Sequence, residues 1–389
     1  MIDKTIPFPV GDNPTEARLL YGVSAPDGLT LLEDNSVQTI CTSPPYWGLR
    51  DYGADGQIGL EDDIEEYIAN LVAVFDECKR VLRKDGTLWL NLGDSYAGGG
   101  RAGKNPEYHS KHKMFGKTVD ESETGRFGVP KSIPNGLKAK DLVGIPWRVA
   151  FALQADGWYL RSAAPWIKGN CMPESVTDRP STATEYIFLF AHPDSGGKYF
   201  YDIDAVRVSH NPKWIQARKT HSADRPNQMR SDRRSDMVLR YDGKVVGNPK
   251  GRNRRNTDAW NEMLEVSAQE LLTACKSYGV VHNAEGDILA FKVNPKPFSG
   301  AHFATWPTEL VEPMVLAGSP VDGTVLDPFS GSATTGAVAL ANGRNYIGID
   351  LNEEYFPLAE CRVQDIKVSK PKTDLPEMTT LDMFGVGND

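Results

Sequence analysis

The run Thr42-Ser43-Pro44-Pro45-Tyr46-Trp47 concentrates groups that can act on an amino nitrogen attached to a flat heterocycle. Such a nitrogen is a poor nucleophile because its lone pair is delocalised into the ring. Two acceptors that take both amino hydrogens favour a pyramidal nitrogen and free the lone pair to attack. Ser43 supplies a hydroxyl oxygen and Pro44 a main-chain carbonyl, while the two prolines, Pro44 and Pro45, fix the backbone angles that aim them. Tyr46 adds an aromatic plate on which a base turned out of a duplex can stack. The bland alternative is a proline-rich turn whose aromatic residues only pack.

A second run, Val325-Leu326-Asp327-Pro328-Phe329-Ser330-Gly331-Ser332-Ala333-Thr334-Thr335, reads as a buried strand, a turn of small residues and the start of a helix. Amides at a helix start have no partner within the helix and can meet a ligand. Nineteen residues after Gly331, the strand-like Tyr346-Ile347-Gly348-Ile349 ends in Asp350. An acid in that position can accept hydrogen bonds from ribose hydroxyls, as in doubly wound nucleotide-binding sheets. The GxGxxG phosphate fingerprint is absent, which disfavours a dinucleotide.

The elements around these motifs must form a parallel sheet. Ser36 to Thr42 is short, apolar and β-branched, and predicts a strand running into the proline turn. Glu61 to Leu82 repeats apolar residues at helical spacing, with acids first, bases last and Gly86 as its stop. Thr87 to Leu92 predicts the next strand, followed by Gly93-Asp94-Ser95. Strand, helix, strand is the crossover unit of a parallel sheet. A helix is expected over Pro146 to Ala155, strands over Tyr159 to Trp166 and Glu185 to Ala191, and a last βαβ-like unit over Gly323 to Asp350. Tyr96 to Lys140 reads as a long mobile loop, Trp260 to Lys292 as a helix plus a hairpin at Asn283 to Asp287, and the polar tail beyond Lys367 as disordered.

The chain has 389 residues, enough for one large domain with insertions or two unequal ones. No apolar run approaches a membrane span, and the opening lacks a secretory signal, so a cytoplasmic protein is expected. The five cysteines are scattered without zinc-like spacing, and no metal is expected. The net charge is -9, yet residues 207 to 255 hold fourteen Lys and Arg against four Asp. That segment is suited to phosphate; the rest of the chain is strongly acidic.

Taken together, the two motifs resemble the catalytic and cofactor motifs of the amino-group DNA methyltransferases. The order, catalytic motif first and cofactor motif last, is that of the family's β class. The resemblance spans roughly residues 20 to 95, 141 to 205 and 295 to 365. It implies an α/β, Rossmann-like S-adenosylmethionine-dependent methyltransferase fold, with a mostly parallel seven-stranded sheet and helices on both faces. It also implies methyl transfer from S-adenosylmethionine to N4 of cytosine or N6 of adenine in double-stranded DNA after base flipping. By position, Ser43, Pro44, Pro45 and Tyr46 hold the target base; Asp327, Phe329, Gly331 and Ser332 line the cofactor pocket; Asp350 takes the ribose. Ala301-His302-Phe303-Ala304-Thr305-Trp306-Pro307 resembles a further cofactor motif, bringing in His302 and Phe303. Ala333 stands where the family often has a second glycine, which implies a less close approach of backbone to cofactor.

The same resemblance divides the chain into a catalytic part at 1–205, an inserted target-recognition region at 206–294, a cofactor-binding part at 295–366 and a flexible tail at 367–389. Within the insert, Arg230, Arg234, Arg252 and Arg255 can reach phosphates or guanine edges. Ser43 leans towards N4 of cytosine, since Ser leads the tetrapeptide in most N4 enzymes and Asp or Asn in most N6 ones; adenine stays open. C5 methylation needs a cysteine nucleophile, and the Pro-Cys pair of the enzymes that perform it is absent. An RNA or protein-glutamine methyltransferase would usually carry the two motifs in the opposite order, and a non-catalytic DNA-binding module would not need Ser43, Tyr46, Asp327 and Asp350 intact. A solitary modification enzyme is expected, orphan, phage-borne or paired with a separate restriction nuclease, with a homodimer among the open oligomeric states. Thr380 to Phe384 resembles a sliding-clamp docking peptide through Leu381 to Phe384, although the usual glutamine is missing.

Overall fold

All six residues of the strand that precedes the proline turn, Val37–Thr42 (β3), are buried, so both of its faces must be covered. The computed structural model describes residues 1–8, 14–49, 52–98, 133–168, 177–206, 237–239, 245–247 and 306–366. Its main sheet also contains β1 (Ile2–Phe8), β2 (Thr15–Tyr21), β4 (Leu82–Leu92), β5 (Tyr159–Ile167), β6 (Thr184–Ala191), β9 (Thr324–Asp327) and β10 (Asn345–Asp350). The order across the sheet is β1-β2-β10-β9-β3-β4-β6-β5. The five central strands, β2 to β4 in that order, run parallel, whereas β1, β6 and β5 each pair antiparallel with their neighbours. A separate two-stranded pair joins β7 (Met237–Leu239) to β8 (Val245–Gly247).

The sheet thus has eight strands, one more than the seven implied by resemblance. The added edge strand β1 is mostly exposed and contains Pro7, which an edge position tolerates. Helices cover both faces. Side chains from α1 (Ala25–Thr30), α2 (Ile64–Val81) and α3 (Ile145–Ala155) meet Ile40, Leu88, Leu90 and Leu92 in one core. Those from α4 (Thr308–Gly318), α5 (Thr334–Ala341) and α6 (Phe356–Gln364) meet Cys41, Trp89, Leu19 and Tyr21 in the other. The alternation Ile40 to one face, Cys41 to the other, is the period of two of a strand buried on both sides. Each fully buried Leu or Val in these cores contributes ~1.5–3 kcal/mol.

The helix α2 begins where Asp63 accepts a hydrogen bond from the Glu65 amide, 3.2 Å, with Glu65 and Glu66 in the positive first turn. It ends at Val81, five residues before the expected stop at Gly86, because Leu82 already takes extended angles and opens β4. Gly86 lies inside that strand, where a Cβ would come within 2.6 Å of the Leu82 side chain. Close packing, not chain reversal, is the reason for glycine there. After β4, Asp94 accepts from the amides of Ser95, Gly144 and Ile145, so its carboxylate caps the start of α3. The ends of the expected loop at 96–140 are pinned to each other, with Ala97 donating to the Asp141 carbonyl and Lys140 to that of Ala97, both 2.8 Å. Its middle lies outside the described residues, as do the helix and hairpin expected over 260–292 and the tail.

Candidate active site

Successive connections leave the sheet in opposite directions at β3 and β9: β3 leads outward to β4, and β9 leads outward to β10. Open α/β sheets bind ligands in the crevice at the carboxyl ends of such strands. Both candidate motifs stand there, since β3 ends at Thr42 and β9 at Asp327. The crevice is a single cavity of ≈ 970 Å³, lined from Ser43–Tyr46 at one end to Asp350 and Asn352 at the other. The motifs are joined directly, because the Thr42 hydroxyl donates to Asp327 Oδ1 at 2.7 Å.

At the β9 end, Asp327 also accepts from the Phe329 amide, 3.1 Å, and from Thr335 Oγ1, 2.7 Å. Burial pushes this carboxyl up to about 6, and its three donors hold it back from a larger shift. The turn that follows is anchored from three sides. Tyr21 Oη donates to the Gly331 carbonyl at 2.8 Å, Ser330 Oγ bonds Tyr346 Oη at 2.8 Å, and the Gly331 amide donates to Asp350 Oδ2 at 2.7 Å. The other oxygen of Asp350 accepts from the Asn352 amide at 2.9 Å. Burial raises the Asp350 carboxyl to about 6 as well, against the pull of those two amides. Arg362 reaches over the start of α5 and donates to Ser332 Oγ at 2.7 Å and to Thr334 Oγ1. Close approach of α5 to β10 requires Gly336, since a Cβ there would sit 2.5 Å from the Tyr346 ring.

At the β3 end the proline turn is held from behind by α2 and the loop before it. Tyr67 Oη donates to the Pro45 carbonyl at 2.9 Å, and Trp47 Nε1 to the Glu61 carbonyl at 2.8 Å. The Tyr46 ring lies against Gly93, where a Cβ would fall 2.6 Å from the ring. Its hydroxyl is 2.7 Å from Glu185 Oε2 and 2.9 Å from Asn91 Oδ1. Ser43 Oγ joins the same cluster, 3.3 Å from Asn91 Oδ1 and 3.5 Å from the Tyr46 hydroxyl. Burial, with the Glu185 carboxylate beside it, pushes the Tyr46 hydroxyl well above its usual range, so it stays a neutral donor. Glu185 also pairs with Lys168, whose ammonium lies 4.6 Å from the centre of the Trp166 ring.

Ser43, Pro44, Pro45 and Tyr46 therefore line one end of the cavity, and Asp327, Phe329, Gly331, Ser332 and Asp350 the other. Trp306, from the motif before β9, lines it too. His302, Phe303, Arg230, Arg234, Arg252 and Arg255 lie outside the described residues. Ala333 precedes α5. Its backbone takes φ +56°, the left-handed region in which glycine is common, but its methyl is buried in the core and is not part of the cavity wall. The side chain thus adds backbone strain without blocking the cavity.

Asn91, Lys168 and Glu185 were not among the candidate residues. Two carried a signal: Asn91 interrupts the apolar run at 88–92 and Glu185 abuts the apolar run at 186–191, and only 1% and 9% of each is exposed. A buried polar group needs a purpose. Ser24, Pro26, Leu351, Asn352 and Tyr355 extend the Asp350 end of the lining and carried none.

With the crevice and its two motifs in hand, the class is defined: the chain belongs to the N6/N4 DNA methylase family, which matches residues 37–361. Among characterised relatives it is similar to the type II methyltransferase M.XycI of Xanthomonas campestris pv. cyanopsidis, 41% identical over 341 residues, covering 87% of this chain and 86% of that one. It is likewise similar to the type II methyltransferases M.Cfr9I of Citrobacter freundii and M.SmaI of Serratia marcescens, each 39% identical, over 86% and 85% of this chain and 84% and 86% of theirs.

Proposed function

We propose that this protein is a site-specific, type II-like DNA methyltransferase that transfers a methyl group from S-adenosylmethionine to an exocyclic amino group of a flipped base, with N4 of cytosine favoured over N6 of adenine. The observation that carries this reading is the single cavity that runs from the Asp350 end to the Ser43–Tyr46 end. It allows a donor and a base to meet without passing through solvent.

The lining fits S-adenosylmethionine. Asp350 and Asp327 contribute carboxylates, and Phe329, Trp306 and Tyr355 contribute aromatic rings, a combination suited to a cationic ligand bearing a ribose. Asp350 would accept from the ribose hydroxyls, and the small residues Gly331 and Ser332 would let the ligand approach the turn. When bound, this cofactor supplies an electrophilic methyl carbon on a sulfonium sulfur that departs as a neutral thioether.

At the other end, Ser43 Oγ and the Pro44 carbonyl would accept the two amino hydrogens of the base. The nitrogen then presents its lone pair, gains the methyl carbon as the sulfur leaves with the bonding pair, and releases one of those hydrogens as a proton to solvent water. Tyr46 would stack on the base, and Tyr67, through the Pro45 carbonyl, keeps the turn in place. The preference for cytosine rests on Ser43 as the first residue of the tetrapeptide.

The residues from 206 to 294 would form the target-recognition region, supported by the positive segment 207–255 in an otherwise acidic chain. Nucleoside mass spectrometry of DNA from a host expressing the protein tests the whole reading. N4-methylcytosine above a vector control is expected. N6-methyladenine would move the assignment to the other base, and the absence of both would overturn it.

A further inference from the structure

Lys168 is the one cation among the described residues that line the cavity. It does not stand in the Asp350 half. Its ammonium is paired with Glu185 Oε1, and the other oxygen of Glu185 lies 2.7 Å from the Tyr46 hydroxyl. That hydroxyl is 2.9 Å from Asn91 Oδ1, which is 3.3 Å from Ser43 Oγ. With its proton given to Glu185, the Tyr46 hydroxyl can accept from Ser43 Oγ, 3.5 Å away, which links the lysine to the serine of the proline turn.

The hydrogen-bonding character of this wall is lopsided. The Pro44 and Asn91 oxygens and the Glu185 carboxylate are acceptors. One of the two Asn91 amide hydrogens goes to the Tyr186 carbonyl at 3.2 Å, and the Tyr46 proton to Glu185 or Asn91. Acceptors alone match only the amino group of a base. Beside that amino group, cytosine and adenine both present a ring nitrogen that needs a donor, N3 in one and N1 in the other. An ammonium has three N–H donors, and Glu185 occupies one of them.

We infer that Lys168, held by Glu185, donates to the ring nitrogen next to the target amino group and is a specificity-determining residue of the base pocket. The inference rests on the reading of the Ser43–Tyr46 end as that pocket. Thymine presents the reverse pattern there, a carbonyl opposite the acceptors and an N–H opposite the ammonium, so both contacts become repulsive. The device works for either amino base and rejects those without one. Glu185 is a positioning residue: it fixes the lysine and the Tyr46 hydroxyl together.

The test couples the side chain to the base. Wild type, Lys168→Met and Lys168→Arg are assayed for kcat/KM on duplexes that carry either the natural target base or its deaza analogue lacking the ring nitrogen, 3-deazacytosine or 1-deazaadenine. Loss of either partner of a charged hydrogen bond is expected to lower wild-type kcat/KM on the order of tenfold to a hundredfold. Lys168→Met should show that loss on the natural base and almost no further loss on the analogue, while Lys168→Arg retains part of the discrimination. Independent, additive losses would overturn the inference. So would a wild-type enzyme indifferent to the ring nitrogen, a comparison that needs no variant to fold. If wild type methylates no natural duplex at all, the reading of the pocket itself has failed, and the inference falls with it.

Discussion

Thr42 and Asp327, 285 residues apart, share a 2.7 Å hydrogen bond at the carboxyl ends of adjacent parallel strands. It ties the turn that holds Ser43 to the turn that leads to Gly331. Thr42→Val keeps the shape and removes one of the three donors to a buried carboxylate. A loss of ~1.5–3 kcal/mol in stability is expected, the range for a bond to a charged group, with weaker cofactor binding. Denaturant unfolding and calorimetry measure the two; a variant with wild-type values of both would show the link to be incidental.

Tyr46 is expected to act through its ring more than through its hydroxyl. Tyr46→Ala should remove a stacking contact of ~1–3 kcal/mol and slow methylation with cofactor affinity intact. Tyr46→Phe, which keeps the ring and loses the contacts to Glu185 and Asn91, should fall between. A Tyr46→Ala enzyme that methylates at the wild-type rate would remove Tyr46 from the site.

Gly93 offers a way to displace that ring without touching it chemically. Gly93→Ala would place a Cβ 2.6 Å from the Tyr46 ring, an overlap with a penalty of ~1–3 kcal/mol. Turnover should drop while cofactor affinity stays, read by steady-state methylation beside calorimetry. Unchanged turnover would mean that the ring has room to move.

Asp350 sets a pH dependence of known sign. Its folded carboxyl is raised from 3.8 to about 6, so ionising it in the apo protein lowers stability as pH rises from 3.8 to about 6, and the effect levels off above that. A ribose hydroxyl prefers the ionised form, so cofactor affinity should move the opposite way and weaken below about pH 6. Asp350→Ala should reduce affinity by ~1.5–3 kcal/mol and flatten that dependence. Equal affinity at pH 5 and pH 7.5 in the wild type would count against Asp350 as a ligand.

The arginines of the basic segment are tested by salt. Single alanine substitutions at Arg230, Arg234, Arg252 and Arg255 are measured on cognate and scrambled duplexes. A residue on a phosphate should lower affinity for both and reduce the slope of log affinity against log salt by about 0.9. One on a guanine edge should lose ~1–3 kcal/mol on the cognate site alone. If no substitution changes affinity, slope or specificity, recognition resides elsewhere.

The chemistry of the two motifs was legible in the sequence because it depends on runs of adjacent residues. Ser43 to Tyr46 and Asp327 to Ser332 carry hydroxyl, carbonyl, aromatic and small groups in fixed local order, and the strand before each is apolar enough to be recognised alone. The βαβ-like unit that ends at Asp350 was equally plain, as was α2, whose apolar period and charged ends are local properties. Edge strand β1, Gly86 and Ala333 were not, since each is decided by what packs against it: the edge of β2, the Leu82 side chain and a buried core. The same reason separates Asn91, Lys168 and Glu185 from the candidates. They come from β4, from the end of β5 and from the antiparallel β6 beside it, and only sheet pairing brings them to the hydroxyl of Tyr46. Sequence order alone determined which groups could react, because reactivity is carried by residue type. Strand order decided which groups share a cavity, because hydrogen-bonded neighbours in a sheet can lie hundreds of residues apart along the chain.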